Sequence, residues 1–316
     1  MLLRDDVKER ALSLKKRLSS CDICPHRCRV NRVAGETGFC GATAEIVVAH
    51  SGLHFGEEPP ISGTHGSGTI FFARCNARCV YCQNYQISQC VEEIPTRTWT
   101  PDELAGELLA LQGRGAHNVN LVSPTHVIAQ VAEGLCIARE KGLSIPIVYN
   151  TNGYDAVETL RCLEGLIDVY LPDVKYSDDG VAKAYSGVDR YVEVNRQAIA
   201  EMFRQVGNLA VDREGIARRG VLVRHLVLPE DLVGSKDSLA FLAALSKETV
   251  VSIMAQYSPQ HKARNLPPLD RRISAAEYER VLDWAWELGL DRCFVQEVES
   301  SETLVPDFFK ADPFEG

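Results

Sequence analysis

Three cysteines fall within ten residues, CNARCVYCQN (75–84), at the spacing C-x3-C-x2-C. Thiolates are soft ligands that select zinc, copper(I) or iron–sulfur clusters. A structural zinc ion wants four protein ligands in closed tetrahedral geometry, and Cys75, Cys79 and Cys82 supply three. His65 upstream and Cys90 downstream are the nearest further candidates, and neither completes a familiar finger spacing. One solution is a zinc ion held by three cysteines and a water. The other is a cubane cluster held at three of its four irons, with the last iron open to a small molecule.

A second group, CDICPHRCRVNRVAGETGFCG (21–41), places Cys21, Cys24, Cys28 and Cys40 at C-x2-C-x3-C-x11-C. Four thiolates suit zinc or an auxiliary [4Fe–4S] cluster. Pro25, Gly38 and Gly41 supply the tight turns that let a backbone wrap a metal, and His26 inside the loop is an alternative ligand. Seven of the eleven cysteines lie in these two groups; Cys90, Cys136, Cys162 and Cys293 are scattered. Short ligand-like gaps point to metal binding rather than to a disulfide framework.

The elements that must position these loops follow from periodicity. Residues 1–19 predict a charged amphipathic helix, and 21–68 is rich in Gly, Pro and Cys with little periodicity. From residue 68 apolar strand-like runs alternate with helices. The strands are expected at 69–74, 119–124, 145–152, 167–175, 221–229 and 250–257. The helices are expected at 101–111 (capped by Thr100), 125–141, 155–163, 191–206, 235–245 and 274–288. Alternation of this kind predicts parallel βα units, and near-continuous Val/Ile/Leu strands fit a sheet buried on both faces. The expected class is α/β: a partial (β/α)6 TIM-like barrel over 68–316, preceded by a small N-terminal Cys-rich metal-binding module over 1–67. Several strands end in polar residues, namely Ser123, Asn150 to Asn152, Asp173 to Lys175 and Gln256. Such strand ends are where βα barrels build active sites.

Composition narrows the class. The 316 residues are 45% hydrophobic and 24% charged, as in ordinary globular proteins. Thirty-four Lys and Arg stand against 43 Asp and Glu, a net charge of −9. No basic excess is available for phosphates, so neither nucleic acid nor an anionic membrane is an expected partner. The acid-bearing N-terminus MLLRDDVKER lacks the apolar core of a signal peptide, and no apolar run reaches the roughly 18 residues of a membrane span, so a cytoplasmic location is expected. The glycine-rich GTHGSGT (63–69) precedes a strand and lacks the lysine of a phosphate-binding loop.

C-x3-C-x2-C directly after a first strand, with Tyr81 just before the third cysteine, resembles the signature of the radical S-adenosylmethionine (SAM) superfamily. YNTNG (149–153), DVK (173–175) and VRHLVLP (223–229) are similar to segments of pyruvate formate-lyase-activating enzymes, which install glycyl radicals on partner enzymes. The resemblance implies a [4Fe–4S] cluster on Cys75, Cys79 and Cys82 whose open iron binds SAM. It also implies cleavage of SAM to a 5′-deoxyadenosyl radical and hydrogen abstraction from a substrate, a glycyl position of a partner protein or peptide being one. An electron donor such as flavodoxin or ferredoxin goes with that chemistry. By the same resemblance Lys175 would pair with the SAM carboxylate. Asn150, Thr151 and Asp173 would lie near the sulfonium end, with Asn152 beside them, and His225 would face the substrate. The family's usual Gly-Gly-Glu stretch is replaced by LVSPTHV (121–127), where Ser123 and Thr125 would hold the SAM amino group, and Asn150 stands where activating enzymes carry an acid. The rival class is a non-catalytic iron–sulfur or zinc protein acting as scaffold or electron carrier.

Overall fold

The computed structural model describes residues 4–298 and 305–314. The first three residues of the expected N-terminal helix, and residues 299–304 and 315–316 of the expected barrel region, lie outside the described residues. The strands are β1 (Ile46–His54), β2 (Ser67–Phe72), β3 (Arg97–Trp99), β4 (Val119–Val122), β5 (Ile147–Thr151), β6 (Val169–Pro172), β7 (Ala210–Val211), β8 (Ala217–Leu226), β9 (Val250–Met254) and β10 (Cys293–Val295). The helices are α1 (Asp5–Ser13), α2 (Pro59–Ser62), α3 (Tyr85–Ser88), α4 (Pro101–Gly113), α5 (Ile128–Glu140), α6 (Val157–Cys162), α7 (Asp179–Ser186), α8 (Tyr191–Val206), α9 (Ser235–Leu245) and α10 (Ala275–Glu287).

The sheet runs β10-β9-β8-β6-β5-β4-β2-β1-β3, with β7 pairing β8 off this path. β2, β4, β5, β6, β8, β9 and β10 pair in parallel; β1 is antiparallel to both β2 and β3. The expected α/β class and mostly parallel sheet hold, and all six expected strands are present. A seventh parallel strand, β10, is only three residues long and leaves no periodic signal. β1 also escaped the periodicity, because its apolar run breaks at His50–Ser51–Gly52 and a bulge falls between Val48 and His50. β1 joins the sheet upstream of residue 68, so residues 46–54 side with the barrel.

Strand alternation sorts the core into two layers. Ile147, Tyr149 and Tyr170 face the helices, in one cluster with Leu104, Val131, Leu135 and Ile199. Val148, Val169, Leu171, Leu222 and Val250 face the other way, onto Ile61 of α2. The segment between β1 and β2 therefore packs against this second face of the sheet, and Glu57, Glu58 and Pro59 from it line the cavity there. Asn118 holds it by donating to the Ile61 carbonyl at 2.7 Å. Helix α4 starts with a capping box, the Thr100 hydroxyl accepting from the Glu103 N–H while Glu103 reaches back.

Candidate functional site

β2 ends at Phe72, and Arg74 turns the chain with a φ of 73° into Cys75. The loop that follows is fixed from α7 and its surroundings. The Arg78 and Val80 N–H groups donate to the carbonyls of Ser186 (2.9 Å) and Tyr185 (2.8 Å), and the Val80 carbonyl accepts from Ala263 N–H (3.0 Å). The Asn76 amide donates to the Tyr154 carbonyl at 2.7 Å.

Cys75, Cys79 and Cys82 line one cavity of about 350 Å³ with Tyr81, Ser123, Asn150, Thr151, Asn152, Asp173, Lys175 and Gln256. The cavity thus collects the C-terminal ends of the parallel strands. Each sulfur has a polar neighbour. Asn152 Nδ2 donates to Cys75 (3.4 Å), the Ser186 hydroxyl donates to Cys79 (2.9 Å), and the Ser88 hydroxyl lies 3.4 Å from Cys82. Tyr81, Tyr176 and Ser186 form a file of hydroxyls, 2.6 Å apart at each step, that ends on Cys79. Burial pushes the Cys75 thiol up to about 11 and Cys82 to about 12. Without metal these groups are therefore neutral thiols near neutral pH, and metal loading must displace their protons. Gly153, with φ +75°, is dictated here, because a Cβ would fall 2.3 Å from the Asp173 carbonyl.

Lys175 Nζ sits 2.6 Å from Asp173 Oδ2. Burial alone would lower the ammonium, but the Asp173 carboxylate outweighs it and raises Lys175 above its ordinary value. The cation is therefore fixed at the cavity wall.

Two expected site residues lie elsewhere. The Thr125 hydroxyl is absorbed behind the wall, donating to Asp155 at 2.8 Å beside Thr151 and Tyr149, which bond the same carboxylate. That buried carboxylate, its pKa raised by burial, ties the ends of β4 and β5 together. His225 is fully buried and its Nδ1 meets the Val174 carbonyl at 2.8 Å. Parity explains it. Arg224 and Leu226 of β8 point into the cavity, so His225 between them points to the opposite face.

Arg224 is the residue that the sequence reading passed over. Its side chain is 15% exposed, and it pairs with Glu57 and, through two bonds of 2.8 and 2.6 Å, with Glu58. All three line the cavity at the end closed by α2. Asn120 also donates to Glu57, at 2.7 Å.

Residues 69–213, spanning this loop and β2 to β7, match the model of the Radical SAM superfamily. The chain carries a radical SAM domain. It is 32% identical over 297 residues to the uncharacterized protein MJ0674 of Methanocaldococcus jannaschii, covering 90% of this chain and 81% of that protein, and it belongs to one family with it. A second relative from the same organism, the uncharacterized protein MJ0808, is 26% identical over 301 residues, covering 89% and 82% of the two chains. Among solved structures, methylornithine synthase (PylB) is similar with a TM-score of 0.47 and 17% identity over 72% of this chain and 63% of that one. Streptococcus suis SuiB bound to precursor peptide SuiA is similar with a TM-score of 0.47 and 13% identity over 74% and 49%.

A radical SAM domain implies a [4Fe–4S] cluster and SAM. The residues present fit such a group. Three thiols stand on the wall of one cavity, each beside an amide or hydroxyl that can donate to a thiolate, with room for a further ligand. Among the described residues no three His, Cys, Asp or Glu side chains are gathered around a point so as to hold a single metal ion. Also among the described residues, no helix is long and apolar enough to cross a membrane.

Proposed function

We propose that this protein is a radical SAM enzyme whose cluster is held by Cys75, Cys79 and Cys82, and that it abstracts hydrogen from a substrate C–H bond, a glycyl position of a protein or peptide being the leading class. When bound, the cluster and SAM supply reductive cleavage of the sulfonium and a 5′-deoxyadenosyl radical. The electron comes from a one-electron donor of the flavodoxin or ferredoxin kind. The observation that carries this reading is that the three cysteines share their cavity with the polar ends of β4, β5 and β6.

The protein's own groups then have distinct tasks. Asn152, Ser186 and Ser88 set polar groups beside the sulfurs and would steady them as thiolates once metal has displaced their protons. Lys175, aimed by Asp173, offers a cation to the SAM carboxylate, while Ser123, Asn150 and Asn152 offer acceptors and donors to its polar groups. Thr125 and His225 act behind the wall as supports for these residues.

Anaerobic reconstitution with iron, sulfide, dithionite and SAM tests the reading. 5′-Deoxyadenosine should appear on a chromatogram, in step with methionine. An intact cluster spectrum with no 5′-deoxyadenosine would leave the protein a scaffold or electron carrier and sink the proposal.

Lys175→Met keeps the apolar stem and deletes the charge. A charge-assisted hydrogen bond contributes about 1.5–3 kcal/mol, so SAM affinity is expected to fall roughly ten- to a hundredfold with the cluster retained. SAM titration followed in the cluster spectrum measures it. An unchanged dissociation constant would mean that Lys175 serves Asp173 alone.

A further inference from the structure

Away from the large cavity, Cys21, Cys24, Cys28 and Cys40 line a second, small cavity with His26, Arg32 and Gly38. Two of the four sulfurs face an N–H: the backbone N–H of Phe39 donates to Cys28 at 3.4 Å, and Arg32 Nη1 lies 3.9 Å from Cys21. Four sulfurs on one small cavity, two of them met by donors, are placed to share a metal centre, since such donors stabilise a metal-bound sulfur. Gly38 permits the approach, because a Cβ there would fall 2.6 Å from the Cys28 sulfur.

Arg32 is the second, independent observation. It is 2% exposed, and its guanidinium bonds the carbonyls of Thr43 and His126 besides Cys21; among the described residues no carboxylate pairs with it. A buried cation without a counter-charge is costly. Four thiolates on a [4Fe–4S]²⁺ cube leave the centre with about two net negative charges. That centre supplies what Arg32 lacks.

The two cysteine loops also touch. His26, between Cys24 and Cys28, places Nε2 2.9 Å from the Asn76 carbonyl, and its ring stacks on Phe39 at 3.9 Å. Phe39, next to Cys40, accepts from Arg78 on its carbonyl at 2.6 Å and carries the Arg78 guanidinium 4.8 Å above its ring. The ligand loops of one site therefore hold the other at Asn76 and Arg78.

We infer that Cys21, Cys24, Cys28 and Cys40 bind a [4Fe–4S] cluster as a tetrathiolate, that Arg32 is its counter-cation, and that filling it braces the Cys75–Cys82 loop. The tetrathiolate stands apart from the radical SAM reading; the bracing, as an effect on cluster loading, rests on it.

The metal is measured in the full chain carrying Cys75, Cys79 and Cys82 as alanine, which takes the barrel cluster out of the count. Purified anaerobically, this protein should hold about four irons with matching sulfide. Adding Cys24→Ser and Cys28→Ser should remove that metal, with circular dichroism to confirm that the chain is folded. Absence of iron from the folded triple variant, or its survival after the serine substitutions, overturns the site. Arg32→Met should lower occupancy severalfold and Arg32→Lys should restore most of it; equal occupancy in both overturns the counter-cation role. For the bracing, His26→Ala in the otherwise unaltered chain should keep the N-terminal metal. It should also speed proteolysis between 75 and 82 severalfold and lower iron at the barrel site. Unchanged cleavage and loading overturn the bracing and leave the metal site standing.

Discussion

Replacing Cys75, Cys79 and Cys82 together with alanine is expected to reduce 5′-deoxyadenosine formation to background. The three sulfurs line the cavity into which the polar strand ends project, and among the described residues no other cysteine lines it. Neither Asn152, Ser186 nor Ser88 can replace a thiolate on iron, because their neutral groups are hard, weak ligands. Single alanine variants keep two thiolates and lose cluster by degrees, so the triple variant gives the clean result. Chromatography of the nucleoside decides it rather than total iron, because iron at the N-terminal cysteines would survive the change. A triple variant that still releases 5′-deoxyadenosine would move the chemistry elsewhere.

Arg224→Met is expected to destabilise the fold by about 3–5 kcal/mol, the usual cost of removing one partner from a buried ion pair. The carboxylates it leaves behind, Glu57 and Glu58, have side chains 8% and 6% exposed. In the native chain burial pushes the Glu58 carboxyl upward, but Arg224 outweighs it and holds the group below its ordinary range. That contribution is present above the unfolded pKa and is lost as pH falls through the folded one. In the variant the sign reverses. Burial alone now raises the folded pKa, so the variant should be relatively more stable in acid and lose stability as pH rises. Urea midpoints across pH 4 to 8 for both chains show the crossing slopes. Glu57→Gln and Glu58→Gln added to Arg224→Met should recover much of the loss. A single variant within about 1 kcal/mol of the parent, the range of exposed pairs, would mean that water reaches the triad.

The legible and illegible parts of this protein divide along physical lines. Helices with strong local signals were readable: Tyr191–Val206 and Ser235–Leu245 begin and end where the pattern puts them, and Thr100 caps α4 as expected. The cysteine loop and the polar strand ends were readable because each is a short local pattern. Ser186 was not, since it reaches Cys79 across 107 positions, and no local signal announces that meeting. Glu57 and Glu58 carry no local signal either, because their partner Arg224 is more than 160 residues away. His225 was misplaced for a different reason. The alternation in VLVRHLV was available, and it puts Arg224, not His225, inward; the resemblance to a known segment displaced the parity argument.

The segment that enters the sheet between β1 and β2 also constrains traffic. With Ile61 seated among Val148, Val169 and Val250, and the Arg224 triad above it, the cavity is stoppered at one end. Small molecules held in the cavity lie between that stopper and the rim of strand ends. A macromolecular substrate too large to enter would have to offer its reacting position at the rim, over whatever already occupies the space below.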